Sequence, residues 1–271
     1  MSISNLKIAF IGGGNMGEAM LAALLNKGLA KPETLWVSDI SETRRQYLKQ
    51  QYGVAVMNDN PGVAKQGEIV VLAIKPQNLP AVMPELNGKL DSEQLVLSII
   101  AGARLVTLQK GINHQRIVRV MPNTPAQIGE GMSVWTATPE TTEQQKKWTG
   151  AILSAMGKEI YVDGENYIDM ATAISGSGPA YLFLFTESLI EAAVHIGFSQ
   201  NVAQELVLQT VLGSSHFLQK SGRAAAELRR MVTSPGGTTA EALKVLEEGK
   251  FNELVKQAIT AAYHKARKLG S

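Results

Sequence analysis

The sequence predicts an α/β protein in two parts: a doubly wound, mostly parallel sheet over residues 1–165 and an all-helical domain over residues 166–271. Three observations predict it. Short apolar runs alternate with amphipathic stretches through the first half, as strands and crossover helices do in a parallel sheet. Three consecutive glycines, Gly12-Gly13-Gly14, stand where the first strand pattern gives way to the first helical one. After about Asn166 no strand pattern recurs, and helical patterns follow one another to the end.

Lys7–Ile11 reads as the first strand. Met16–Lys27 carries Met20, Ala23 and Leu24 on one helical face. Thr34–Ser38 is the second strand, and Glu42–Tyr52 is a charged helix stopped by Gly53. A short strand follows at Val54–Met57. Ile69–Ile74 and Leu95–Ile100 are apolar on both faces, as central strands of a covered sheet must be. Arg116–Met121 and Gly131–Thr136 complete the strands. The second half reads as helices over Pro179–Gly197, Gln200–Lys220, Ala224–Val232, Thr239–Glu248 and Asn252–Leu269. Leu182, Phe185, Leu189 and Ala192 share one face, which core packing explains. Tyr181–Ile196 is apolar around much of its circumference, more than a helical domain of this size hides by itself. A homo-oligomer, dimer or higher, is therefore expected.

Composition narrows the function. Apolar residues make up 45% of the chain and charged residues 18%, enough to bury a core. A net charge of +2 with no long basic run gives no footprint for nucleic acid or a membrane surface. The absence of cysteine excludes disulfides, thiolate catalysis, zinc-thiolate sites and iron–sulfur clusters. His114, His195, His216 and His264 lack metal-ligand spacing, so no metal is expected. The first apolar run stops at the glycines, short of a secretory signal, and no later run approaches a membrane span. A cytoplasmic protein is expected.

The motifs carry the chemistry. Gly12-x-Gly14-x-x-Gly17 follows a strand and opens a helix, the context in which it binds dinucleotides. Gly12 permits the tight turn, Gly14 lets the backbone approach a pyrophosphate, and Gly17 lets the helix pack on the strand. Free N–H groups at the helix start then hold the phosphates. Asp39 ends the second strand, where an acid bonds a ribose 2′-hydroxyl, which favours NAD. Ser38, Ser41, Arg44 and Arg45 beside it suit a 2′-phosphate instead, unless the arginines are only a solvated helix face. Lys75-Pro76 and Met121-Pro122-Asn123-Thr124-Pro125 stand at the carboxyl ends of strands, where ligands bind in open α/β sheets; surface and turn chemistry are the plain alternatives. Ser175-Gly176-Ser177-Gly178-Pro179 reads as a loop opening the first long helix of the second half, with Pro179 in its first turn. Ser234-Pro235-Gly236-Gly237-Thr238-Thr239 precedes another helix. Thr238 or Thr239 caps it, with Glu241 completing a capping box, and the glycines offer a ring of N–H donors suited to a carboxylate. No nucleophile elbow or Ser-His-Asp order is present. A nicotinamide fold with a carboxylate cradle and no strong acid or base points to hydride transfer onto an already activated electrophile.

Taken together, these loops resemble those of pyrroline-5-carboxylate reductases over essentially the whole chain. The resemblance rests on Phe10 through Gly17, Ala73-Ile74-Lys75-Pro76, Ser98-Ile99-Ile100-Ala101-Gly102, Met121 through Pro125, Ser175 through Tyr181 and, most specifically, Ser234 through Leu243. It implies an N-terminal Rossmann domain followed by a helical dimerisation domain whose helices interlock between two subunits. It also implies NADP as cofactor, with NAD possible, and a small cyclic imine carboxylate as substrate, reduced to L-proline. Carried over by position, Asn60, Ile74 and Lys75 would touch the cofactor, and Gly12, Gly13, Gly14, Asn15, Met16, Gly17, Ser38, Asp39, Ala73, Pro76 and Asn123 complete the expected cofactor lining. Ser234, Pro235, Gly236, Gly237 and Thr238 would hold the substrate carboxylate, and Thr239 would bond the ring nitrogen as the catalytic residue. Asp39 departs from many members, which favour NADPH and lack an acid there. Two rivals stand beside this reading. A β-hydroxyacid dehydrogenase needs a lysine on the helix after Gly176-Ser177-Gly178, and none occurs before Lys220. A noncatalytic NADPH-binding regulator has no use for the Ser234–Thr239 cradle.

Overall fold

The computed structural model describes residues 5–270. Its centre is an eight-stranded sheet in the order β3-β2-β1-β4-β5-β6-β7-β8. The strands are β1 (Ile8–Ile11), β2 (Leu35–Ser38), β3 (Ala55–Met57), β4 (Ile69–Leu72), β5 (Leu95–Ser98), β6 (Ile117–Met121), β7 (Gly131–Ala137) and β8 (Gly157–Tyr161). The first six run parallel; β7 is antiparallel to β6, and β8 runs parallel to β7. The doubly wound sheet and the helical second half are thus both present.

The apolar runs of β1, β4 and β5 are buried end to end. Alternation sends successive side chains to opposite faces, so both faces need cover. On one face Ile8 and Phe10 join Met20, Leu21 and Leu24 of helix α1 (Asn15–Asn26) and Leu48 of α2 (Glu42–Tyr52). Ile152 and Leu153 of α6 (Glu143–Ser154) lie in the same cluster. On the other, Ala9 and Ile11 join α3 (Asn60–Ala64), α4 (Leu79–Leu86) and α5 (Leu105–Ile112). Ser41 caps α2 by accepting from the Arg44 amide, and Gly53 ends it at φ +70°. In α6, Thr142 and Gln145 form a capping box.

The chain forms two compact units, one through Ser177 that Ala262 and the following residues rejoin, and one over Gly178–Ala261. Helix α7 (Glu165–Ala171) packs with the sheet, burying Ile168 and Asp169. The Ser175–Pro179 segment is not a loop. A π-helical turn, Thr172–Gly176, leads into α8 (Gly178–His195), and the Thr172 carbonyl accepts from both the amide and the hydroxyl of Ser177. The return of the chain to the first unit explains Gly102: at φ +77° it faces Leu269, whose carbonyl oxygen would lie 2.8 Å from an added Cβ.

The second unit holds α8, α9 (Gln200–Ser221), α10 (Ala225–Met231), α11 (Thr238–Glu248) and the start of α12 (Phe251–Leu269). Phe185 and Phe251 meet with ring centroids 6.3 Å apart. Most of the apolar surface of α8 stays uncovered, with Phe183 and Leu184 each 64% exposed. Among the described residues no helix is long and apolar enough to cross a membrane.

Candidate functional site

Strand β1 lies between β2 and β4, so strand order reverses around its carboxyl end, the place where open α/β sheets bind ligands. The glycine turn sits there. Gly12 has φ +99°, and a Cβ on it would come within 2.6 Å of the Ala73 carbonyl oxygen. A Cβ on Gly17 would meet the Gly12 carbonyl oxygen at the same distance. A Cβ on Gly13 would strike Leu48. Packing therefore explains these three glycines. Gly14 is different: its φ of −66° suits any residue, and nothing lies within 4 Å of a Cβ there. Gly14 is the N-cap of α1, and no side chain caps that helix start. An exposed ring of backbone donors with a bare approach fits a dinucleotide pyrophosphate.

At the end of β2, the Asp39 carboxylate is pinned by two amides. Its Oδ2 accepts from Gly13 and its Oδ1 from Ser41, both at 2.9 Å. Ser38 is buried and donates to Asn60 Oδ1 at 2.6 Å, while Asn60 Nδ2 donates to Glu85 at 2.7 Å. Arg44 is no solvated helix residue. Its Nε donates to the Gly13 carbonyl at 2.5 Å, and it pairs with Glu18. Arg45 donates to the Asp39 carbonyl at 2.5 Å.

The other sheet-end segments meet this corner from the far side of β1. The Ala73 amide donates to the Ile11 carbonyl at 2.8 Å, which sets Ile74, Lys75 and Pro76 just beyond β4 with Lys75 exposed. Asn123, after β6, is committed to the protein at both ends of its amide. Its Oδ1 accepts from Met132 at 2.8 Å and its Nδ2 donates to the Ser175 carbonyl at 3.1 Å. A cavity of about 460 Å³, lined by Lys7, Glu68, Gln94 and Arg116, lies at the opposite, amino ends of the strands. Its mixed charges do not single out a ligand.

In the second unit, Ser234–Gly237 leads into α11. The expected capping box is absent: Gly237 is the N-cap, no side chain caps the helix, and Thr238 is its first residue. The Glu241 amide is satisfied by the Gly237 carbonyl, so the threonine hydroxyls are not needed for capping. Gly236 has φ +70° and open space around it; a Cβ on Gly237 would strike Ser234 Oγ at 2.5 Å. The segment thus presents an uncapped helix start with exposed backbone, as a carboxylate cradle requires.

Two charged clusters went unseen in the sequence. Arg119, 2% exposed in β6, pairs with Glu165 at 2.8 Å and Asp169 at 3.2 Å. Arg104 pairs with Asp169 at 2.8 Å, and the Leu105 amide donates to Glu165 at 2.9 Å. The second cluster joins Glu18 to Arg44 and, at 2.7 Å, to the Tyr52 hydroxyl. An arginine inside an apolar strand pattern was the one signal for the first cluster. The second left none, since its members are 26 and 34 residues apart.

Comparison with known proteins agrees with this arrangement. Residues 165–269 match the family described as pyrroline-5-carboxylate reductase dimerisation, and residues 7–102 match NADP oxidoreductase, coenzyme F420-dependent. The pyrroline-5-carboxylate reductase of Synechocystis is 40% identical over 98% of this chain and 99% of its own. Among solved structures, the pyrroline-5-carboxylate reductase of Coxiella burnetii superposes with a TM-score of 0.92 at 37% identity, covering 99% of this chain and 100% of that one. The Plasmodium falciparum pyrroline carboxylate reductase with NADP bound gives 0.90 at 34%, covering 99% of both chains. With identity of this order sustained from end to end, the chain belongs to the pyrroline-5-carboxylate reductase family.

Proposed function

We propose that this chain reduces L-1-pyrroline-5-carboxylate to L-proline with NADPH, NADH also serving. The observation that carries the reading is the pair of helix starts without a side-chain cap, α1 and α11, one per unit, where Gly14 and Gly236 each have nothing within 4 Å of an added Cβ. In the first unit, the Gly12–Gly17 turn holds the pyrophosphate. Ser38, Asp39 and Asn60 line the adenosine ribose, and Ala73, Ile74, Lys75 and Pro76 line the far side. Asn123, with both amide ends engaged, shapes the strand-end wall and offers the cofactor backbone rather than its side chain.

The reduced nicotinamide supplies a hydride to the imine carbon. The chain's own residues do the positioning. Backbone donors at Ser234–Thr238 bind the substrate carboxylate, helped by the positive end of the α11 dipole. The Thr239 hydroxyl bonds the ring nitrogen, which fixes the ring face and steadies the proton on that nitrogen. A protonated imine is electrophilic enough that orientation, rather than a strong acid or base, does most of the work.

The uncovered apolar surface of α8 supports a homo-oligomer, dimer or higher. The proposal places that enzyme in the cytoplasm, acting on a small molecule without nucleic acid or membrane. The test is NADPH oxidation with pyrroline-5-carboxylate, run beside a β-hydroxyacid with NADP. Turnover of the imine alone is expected. Turnover of the hydroxyacid, or cofactor binding without turnover, overturns the reading. Sedimentation at micromolar protein checks the assembly, and an active monomer contradicts it.

A further inference from the structure

The corner where a 2′-phosphate would lie holds four charged side chains: Asp39, Glu18, Arg44 and Arg45. Their formal charges cancel. A 2′-phosphate brings about −1.5 to −2 at neutral pH and needs a cation to spare. Arg44 is the natural candidate, at the start of α2 beside the glycine turn. The protein, however, already holds it. Its Nε serves the Gly13 carbonyl, a terminal nitrogen pairs with Glu18, and its plane lies over Tyr47 with 5.0 Å to the ring centroid. Glu18 is itself fixed from the other side by the Tyr52 hydroxyl at 2.7 Å. Burial alone would raise the Glu18 carboxyl, but hydrogen bonds from Arg44, Tyr52 and Tyr47 hold it below its ordinary value, so it stays a full counter-charge at neutral pH. Burial and the bond to Glu18 push the Tyr52 hydroxyl well up, so it remains a donor.

We infer that Glu18, braced by Tyr52, is a positioning residue that sets the ratio of NADPH to NADH affinity by tying Arg44 to the protein. Neither Glu18 nor Tyr52 need touch the cofactor. They decide whether the guanidinium beside the ribose pocket is a neutralised part of the wall or a cation free for a phosphate. Asp39 acts in the same direction from the other side, accepting from ribose hydroxyls and repelling a phosphate. The inference rests on the proposed reading of the glycine turn as a dinucleotide site.

The experiment measures dissociation constants of NADH and NADPH separately, by fluorescence titration of wild-type protein, Glu18→Gln and Tyr52→Phe. Glu18→Gln keeps an acceptor for Arg44 and Tyr52 but removes the charge. The expected result is a three- to ten-fold tighter NADPH constant, an NADH constant within two-fold of wild type, and a change in salt dependence confined to NADPH. Tyr52→Phe should shift the ratio the same way by less, and it carries the test alone if Glu18→Gln does not fold. A merely structural role would move both cofactors together, and that outcome, or an unchanged ratio, overturns the inference while leaving the dinucleotide site standing. Wild-type protein that binds neither cofactor overturns the site and the inference together.

Discussion

Gly12 and Gly14 belong to one motif, yet the structure gives them separate tasks, and an alanine at each separates packing from binding. At Gly12 an alanine must adopt φ +99° and place its Cβ 2.6 Å from the Ala73 carbonyl oxygen and 2.9 Å from Ile74 Cγ2. The backbone strain is about 1–3 kcal/mol, and overpacking adds about 1–3 kcal/mol. A loss of about 2–6 kcal/mol at about 2–4 °C each lowers Tm by at least about 4 °C. At Gly14 the same substitution meets no atom and keeps an ordinary backbone, so it costs about 1 kcal/mol or less as an N-cap change. The new methyl instead occupies the approach to the pyrophosphate. Losing one charge-assisted backbone bond there costs about 1.5–3 kcal/mol, or roughly 10- to 150-fold in NADPH affinity. Differential scanning fluorimetry with and without NADPH reads both effects. Gly12→Ala should show the larger fall in Tm without ligand; Gly14→Ala should fall by about 4 °C at most and lose the ligand-induced rise. A Gly14→Ala protein that binds NADPH as wild type does refutes the assignment of that open face.

Thr239→Val removes a neutral bond of about 1 kcal/mol and should cut kcat/KM for the imine about five-fold. The NADPH dissociation constant should not change; unchanged turnover removes Thr239 from the chemistry. Arg119→Met leaves Asp169, almost fully buried, with Arg104 as its remaining cation and takes from Glu165 its ion pair. Urea unfolding should show a loss of about 3–5 kcal/mol, and a loss under about 1 kcal/mol would mean Arg104 alone suffices. Burial lowers His114 below its ordinary 6.5, while its Nε2 lies 2.8 Å from the Gln94 carbonyl. The folded protein therefore takes up this proton less readily than the unfolded chain. The site costs stability progressively as pH falls below about 6.5, and none above it. His114→Gln should flatten the Tm-against-pH curve in that acidic window, and an unaltered slope would show that other groups govern it.

Local signals placed the elements well. Glu42–Tyr52 is bounded in the structure as its Ser41 cap and Gly53 stop dictate. The near-continuous apolar runs at Ile69 and Leu95 are central strands because helices cover both faces. Strand β8 was missed because Gly-Lys-Glu-Ile-Tyr at a sheet edge needs little apolar content, and most of it is exposed. The Ser175–Pro179 segment, rich in small residues, read as a loop. Its helical course depends on the Thr172 carbonyl taking two bonds from Ser177, a geometry no composition reports. The Thr238-Thr239-Glu241 pattern matched a capping box, but Gly237 closes the first turn through its carbonyl and leaves the threonines spare. In the candidate site, the glycine turns were legible because their demands are local. The Glu18–Arg44–Tyr52 and Arg119-centred clusters were not, because each joins residues that only the folded sheet brings together.

The Arg119 cluster also bears on how relatives of this chain can be recombined. A chimaera whose crossover falls at residue 165 takes Glu165 and Asp169 from one parent and Arg104 and Arg119 from the other, mating two halves of an ion cluster that never co-evolved. A crossover after Ser177 keeps all four from a single parent, although the tail from Ala262 onward must still be returned to it. Library designs that exchange helical domains should therefore carry two junctions, not one, and the hybrids cut inside α7 are those that belong in the insoluble fraction.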